Sequence, residues 1–166
     1  MSAAETRTIA MIDVRIPGFC RLRLTHLVLD YDGTIALDGK PIAGVRKRLA
    51  ALSARLSIHV LTADTFGTAA KSLAGLPLTL HVLARSGQDR AKLRCVEALG
   101  ASRAVCIGNG RNDRLMLHAA ALGIVLLERE GAARESLLAA DIAVARIDEA
   151  LDLLDNPLRL VATLRS

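Results

Sequence analysis

From residue 25 onward, short aliphatic runs alternate with stretches whose apolar residues recur every three or four positions. The runs at 25–30, 57–63, 78–83, 104–107, 124–127 and 142–145 are short and nearly continuous, as in strands buried on both faces of a sheet. Helices are predicted between them. One opens at Pro41, with Ile42, Val45, Leu49, Leu52 and Leu56 along one face. A second is capped by Asp64 or Thr65 and ended by Gly75 and Pro77. Others cover 88–99, closed by Gly100, then 114–122, stopped by Gly123, and 130–140. A terminal helix covers 151–164 with a break near Asn156-Pro157. Strands that alternate with helices imply parallel strands joined by right-handed crossovers. The fold class is therefore α/β, a three-layer Rossmann-like sandwich with a central parallel sheet.

An N-terminal β-hairpin over 10–24 precedes this unit. Ile12, Val14 and Ile16 alternate with polar residues, Pro17-Gly18 marks a turn, and Arg21-Leu22-Arg23-Leu24 alternates again. Residues 1–8 read as a frayed tail, and Asp38-Gly39 as a turn. The 166 residues suit a single domain over 1–166, with no repeat, linker or low-complexity segment. Neither the connection after the first sheet strand nor that after the second has room for a separate lid.

Composition narrows the function classes. The net charge is +5, and the basic residues are mostly scattered Arg. With no dense basic run and almost no aromatic residue to stack on bases, nucleic acid is an unfavoured partner. Phosphorylated small molecules or nucleotides suit the charge better. Cys20, Cys95 and Cys106 show neither metal nor redox spacing, which fits a reducing, cytoplasmic compartment. Glu5 and the lack of a long apolar core argue against a signal peptide, and no apolar run is long enough to span a membrane.

The chemistry collects at the ends of the predicted strands. In Leu27-Val28-Leu29-Asp30-Tyr31-Asp32-Gly33-Thr34 a strand runs into two carboxylates, two residues apart and so on one side of an extended backbone. Like charges placed this way call for a cation or a shared proton. Thr62, in Leu61-Thr62-Ala63-Asp64, then Lys92, then Gly108-Asn109-Gly110-Arg111-Asn112-Asp113 fall at other strand ends or a helix start. Parallel strands bring such ends into one crevice. There Asp30 can attack phosphorus, and Asp32 can protonate the leaving oxygen and later take a proton from water. Thr62 and Lys92 offer a hydroxyl and a positive charge to the phosphoryl group. Gly33 and the backbone near Ala63 allow close approach of N–H groups to phosphate. Asp30, the Asp32 carbonyl and Asp113 can hold Mg²⁺.

The ordered set Asp-x-Asp-Gly-Thr, strand-end Thr, Lys and Gly-Asn-Gly-x-Asn-Asp resembles the haloacid dehalogenase-like (HAD) superfamily of phosphatases and phosphotransferases, from about residue 24 to 155. Segments 61–67 and 108–113 look most like the small soluble proteins related to the phosphorylation domain of P-type ATPases. The resemblance implies a capless Mg²⁺-dependent phosphatase with Asp30 as nucleophile and Asp32 as acid/base. It implies Thr62 and Lys92 as phosphate ligands, and Asp113 as metal ligand. The family commonly has Asp where Asn109 stands. An amide oxygen can still ligate Mg²⁺, but without charge, so weaker metal binding is expected. Rival readings are a P-type-ATPase-like ATP hydrolase, and a regulatory or binding protein that keeps the fold with little turnover.

Three further expectations concern residues outside this set. His26, His59 and His81 sit shortly before the ends of the first three sheet strands. They read as ordinary buried or edge histidines, with a metal site as the rival. Tyr31 points away from the two Asp and shapes the site mouth. The 10–24 hairpin is a candidate contact in a homo-oligomer, since an exposed strand edge invites pairing.

Overall fold

The computed structural model describes residues 10–64 and 67–166. The expected tail at 1–8 and a capping role for Thr65 lie outside the described residues.

The chain opens with an antiparallel hairpin, β1 (Ile12–Ile16) and β2 (Cys20–Leu24). Next come β3 (His26–Asp30), the short pair β4 (Ala36–Leu37) and β5 (Lys40–Pro41), helix α1 (Val45–Leu52) and β6 (Ser57–Thr62). Then follow α2 (Ala69–Ser72), β7 (Leu78–Val82), α3 (Gln88–Leu99) and β8 (Ala104–Gly108). The chain finishes with α4 (Arg114–Ala119), β9 (Leu122–Leu126), α5 (Arg134–Ala139), β10 (Ile142–Val144), α6 (Ile147–Asp155) and α7 (Leu158–Leu164). Six strands form one parallel sheet in the order β10-β9-β8-β3-β6-β7.

Alternation along β3 divides the interior into two cores. Leu27 and Leu29 enter one with Leu49 and Leu52 of α1, Leu151 and Leu154 of α6, and Leu160 of α7. Val28 enters the other with Val96 of α3 and Met116 and Leu117 of α4. Helices thus cover both faces of the sheet, giving the three expected layers. β3 lies centrally between β8 and β6, so its carboxyl end opens into the middle of the crevice.

The hairpin's apolar face is internal. Ile12, Val14, Ile16, Leu22 and Leu24 are all buried in the first core, and the Ser166 N–H donates to the Pro17 carbonyl at 3.1 Å. Met11 and Phe19 are the hairpin's exposed large apolar side chains.

Several boundaries differ from expectation. The helix expected at Pro41 begins at Val45, because Asp38 (φ 51°) and Gly39 (φ 77°) form a tight turn that needs a strand on each side. Pro41 pairs with Ala36, and Ile42 donates to the Ile35 carbonyl at 2.8 Å. The strand expected at 124–127 runs from Leu122 to Leu126. Gly123, predicted as a helix stop, lies inside it, packed so tightly against Leu117 that a Cβ would strike the Leu117 carbonyl carbon at 3.1 Å. The helix expected at 130–140 is confined to Arg134–Ala139, because Gly131 (φ 73°) closes a turn back to the Glu128 carbonyl at 2.9 Å. The break in the terminal helix falls at 156–157, as predicted.

Candidate active site

Asp30 is the last residue of β3, and the chain turns immediately after it. Three successive amides, those of Thr34, Ile35 and Ala36, donate to the Tyr31 carbonyl at 3.0–3.3 Å. Tyr31 faces the opposite way from Asp30 and is fully buried, with its hydroxyl donating to the Gly39 carbonyl at 3.1 Å. It therefore does not shape the site mouth: it pins the β4–β5 turn from inside.

Behind Asp30 lies a buried ionic triad. Lys92 stands one turn before Val96 on α3, facing the sheet, and is completely buried. Its Nζ donates to Asp30 Oδ1 and to Asp113 Oδ1, each at 2.7 Å. Asp113 Oδ2 accepts the backbone N–H groups of Asn109 (3.0 Å) and Gly110 (2.9 Å). Only glycine fits at 108, where a Cβ would meet Asp113 Cγ at 2.5 Å. Asp113 thus holds the 108–113 loop shut around the lysine.

Both oxygens of Asp113 are engaged by Lys92 and the loop amides, and none of its surface is exposed. The oxygens that converge in front of the triad are those of Asp30 and Asn109. Thr34 Oγ1 lies 3.3 Å from Asp30 Oδ2 and 3.4 Å from Asn109 Oδ1. The Asn109 amide is oriented by its Nδ2, which donates to the Gly131 carbonyl at 3.1 Å. Among the described residues, no group of three or more His, Cys, Asp or Glu side chains is arranged to hold a metal ion. What the site offers instead is an all-oxygen donor set of carboxylate, amide carbonyl and hydroxyl, which suits a hard cation such as Mg²⁺ that retains several waters.

The carboxylates line a cleft of ≈ 160 Å³ together with Thr62, Ala63, Asn109 and Gly110. Lys92 and Asp113 do not line it, so the lysine reaches the cleft through Asp30. Thr62 Oγ1 accepts the Asp64 N–H at 2.9 Å, which leaves its own proton free to donate into the cleft. Asp64 Oδ1 accepts the Ala69 N–H at 3.0 Å, the helix-capping role expected of it. Gln88, Asn112 and Glu130 also line the cleft, and Asn112 Nδ2 donates to Gln88 Oε1 at 2.9 Å. The Glu130-Gly131 pair is a turn signal, but apolar periodicity alone assigns Glu130 to a helix. A larger cavity of ≈ 520 Å³ lies beside the β4–β5 pair and is lined in part by Gly33.

Burial pushes the Asp30 carboxyl up to about 7; the Asp113 charge adds to the rise and Lys92 opposes it. Burial also raises Asp32, with Asp64 adding to it. Burial alone would lower the Lys92 ammonium, but Asp30 and Asp113 outweigh it and hold it above the usual lysine range. The site thus combines a permanent buried cation with two carboxyls whose protons are held more tightly than usual.

The histidines form a diagonal ladder rather than a cluster. His59 Nε2 lies 3.3 Å from His26 Nδ1, and His59 Nδ1 lies 3.1 Å from His81 Nε2. Their nitrogens face one another in series and not a common point. The ladder climbs from the start of β3 to the level of Leu61.

The chain matches no protein-family model. It is 46% identical over 79 residues to the uncharacterized protein MJ0073 of Methanocaldococcus jannaschii, covering 45% of this chain and 85% of that protein. Among solved structures it is similar to a Legionella pneumophila protein described as a HAD superfamily (subfamily III A) hydrolase. That likeness has a TM-score of 0.62 at 16% identity, over 85% of this chain and 87% of the other. The 3-deoxy-D-manno-octulosonate 8-phosphate phosphatase of Moraxella catarrhalis, solved with magnesium, phosphate and KDO, gives a TM-score of 0.62 at 16% identity, over 86% and 94% of the two chains. The chain has the fold of the haloacid dehalogenase-like superfamily. With MJ0073 it belongs to one family. In this HAD fold the connection after β3 holds only the β4–β5 pair and α1, and among the described residues that after β6 holds only α2. No helix among the described residues is long and apolar enough to cross a membrane.

Proposed function

We propose that this protein is a Mg²⁺-dependent phosphatase that hydrolyses phosphate monoesters through an aspartyl-phosphate on Asp30. The observation that carries the reading is Lys92, fully buried and shared at 2.7 Å by the carboxylates of Asp30 and Asp113, directly behind the cleft. A buried lysine in that position holds a positive charge where a phosphoryl group must meet a carboxylate.

Asp30 in its ionised form attacks phosphorus, and the bond from phosphorus to the ester oxygen breaks. Asp32, whose carboxyl is raised by burial, donates its proton to the departing oxygen. Asp32 then takes a proton from water as the water oxygen attacks the same phosphorus, which releases inorganic phosphate and restores Asp30. Thr62 donates its hydroxyl hydrogen to a phosphoryl oxygen, while the backbone near Gly33 and Ala63 borders the same group. Asp30, the Asp32 carbonyl and Asn109 would hold Mg²⁺, which supplies charge neutralisation between nucleophile and phosphate.

A cleft of ≈ 160 Å³ suits a phosphoryl group, with the rest of a small phosphorylated molecule left outside. The test is a Mg²⁺-titrated hydrolysis screen across phosphate monoesters and ATP, beside Asp30→Asn. Monoester turnover is expected to fall to background in the variant. ATP turned over far better than every monoester would replace this reading with an ATP hydrolase. No turnover above Asp30→Asn on any compound would overturn both.

A further inference from the structure

We infer that Glu130 supplies the acidic arm of the cation site that Asn109, being neutral, does not. The inference rests on the reading of the cleft as a cation-assisted phosphoryl site. It starts from Gly33. A Cβ at that position would overlap Glu130 Oε2 and lie 2.7 Å from Asn109 Nδ2 and 3.1 Å from Asn109 Oδ1. The Glu130 carboxylate and the Asn109 amide therefore meet over one glycine, on the wall of the cleft that also holds Asp30 and Asp32.

The loop that carries Glu130 is tied to the site and not merely near it. Asn109 Nδ2 donates to the Gly131 carbonyl at 3.1 Å, and the Asn109 carbonyl accepts the Ala133 N–H at 2.9 Å. Asn109 therefore orients its own Oδ1 and anchors Glu130 with the same contacts. An Asp at 109 would lose the Nδ2 donor, so the neutral residue and the nearby glutamate belong to one arrangement.

Electrostatics gives the carboxylate its role. Among the described residues no cation pairs with Glu130. A free carboxylate facing a cleft for an anionic phosphate is repulsive on its own, and beside Asp30 and Asp32 more so. A divalent cation between them reverses the sign. Mg²⁺ is held through one or two carboxylates and keeps several waters, so an arm that reaches it directly or through one water is sufficient.

The test measures metal binding without substrate. Mn²⁺ titration followed by electron paramagnetic resonance, with Mg²⁺ calorimetry beside it, is run on wild type, Glu130→Gln and Glu130→Gln/Asn109→Asp. Glu97→Gln, exposed on α3, is the control. Glu130→Gln is expected to weaken Mn²⁺ binding about tenfold, Glu97→Gln to leave it unchanged, and the added Asn109→Asp to recover most of the loss. Thermal unfolding of Glu130→Gln should match wild type, since Glu130 is exposed. Wild-type affinity in Glu130→Gln overturns the inference while leaving the phosphatase reading intact. Wild-type protein that binds no divalent cation overturns the inference together with the cation role in that reading. Intact Mn²⁺ binding with no turnover of any ester overturns the phosphatase reading alone.

Discussion

Replacing Lys92 by Met tests the ionic triad where its energetics are most exposed. The two side chains are close in volume, so packing loss is small, below about 1.5 kcal/mol. The electrostatic loss is not. Nζ lies 2.7 Å from oxygens of both Asp30 and Asp113, and the lysine has no contact with solvent. Its removal leaves two carboxylates facing each other in a buried site, and breaking such a pair costs about 3–5 kcal/mol. The protein can relieve this by taking up a proton. The Asp30 carboxyl, at about 7 with the ammonium beside it, moves higher without it. The variant therefore gains a proton at pH values where wild type does not. A carboxyl raised in the folded state binds protons more tightly folded than unfolded, so stability falls as pH rises towards the folded value. The stability gap is accordingly widest in alkaline solution and narrows towards pH 7, by up to about 1.4 kcal/mol per pH unit. Urea unfolding of metal-free protein at pH 9 and pH 7 reads both quantities. Adding Asp113→Asn should recover part of the loss, because it removes one of the two facing charges. A variant within about 1 kcal/mol of wild type at pH 9, below the loss expected of a broken buried pair, would refute the reasoning. A gap that ignores pH would do the same.

Two further predictions concern residues outside the triad. Burial, then the neighbouring His26 and His81, push His59 down to about 4. The unfolded chain takes up a proton near 6.5 and the folded chain does not, so this stability is complete above about pH 6.5 and is lost as pH falls to about 4. The full loss is at most about 3 kcal/mol; His59→Leu should flatten the acid limb of a urea-stability profile, and an unchanged slope would refute the assignment. Tyr31→Phe leaves the Gly39 carbonyl without its buried donor and should cost about 1 kcal/mol in urea unfolding. No measurable loss would show that the β4–β5 turn does not depend on that bond.

Much of the cleft was legible because its polar residues lie in short segments at strand ends. Asp30, Asp32, Thr62 and Asn109 line one cleft in the order the motifs implied, and Lys92 stands on the face of α3 that its spacing from Val96 indicated. Roles were less legible than places. Residue type alone does not show that two loop amides and Lys92 engage the oxygens of Asp113. Glu130 reads as the start of a helix, yet the positive φ of Gly131 turns its loop back across Gly33. Tyr31 reads as a rim residue, yet the turn at Asp38-Gly39 brings the Gly39 carbonyl to its hydroxyl.

The division follows from the range of the forces involved. Periodic burial and backbone turn chemistry act over a few residues, so the linear chain alone determined the six parallel strands, the covering helices, the hairpin and the first carboxylate pair. Which oxygen of a carboxylate is free, and which loop overhangs a glycine, depend on groups 21–75 positions apart, such as Lys92 with Asp113 and Thr34 with Asn109. Only the packed sheet brings those atoms within hydrogen-bonding distance. The tertiary structure therefore decided that Asp113 holds the lysine, that Asn109 faces Asp30, and that Glu130 stands beside them.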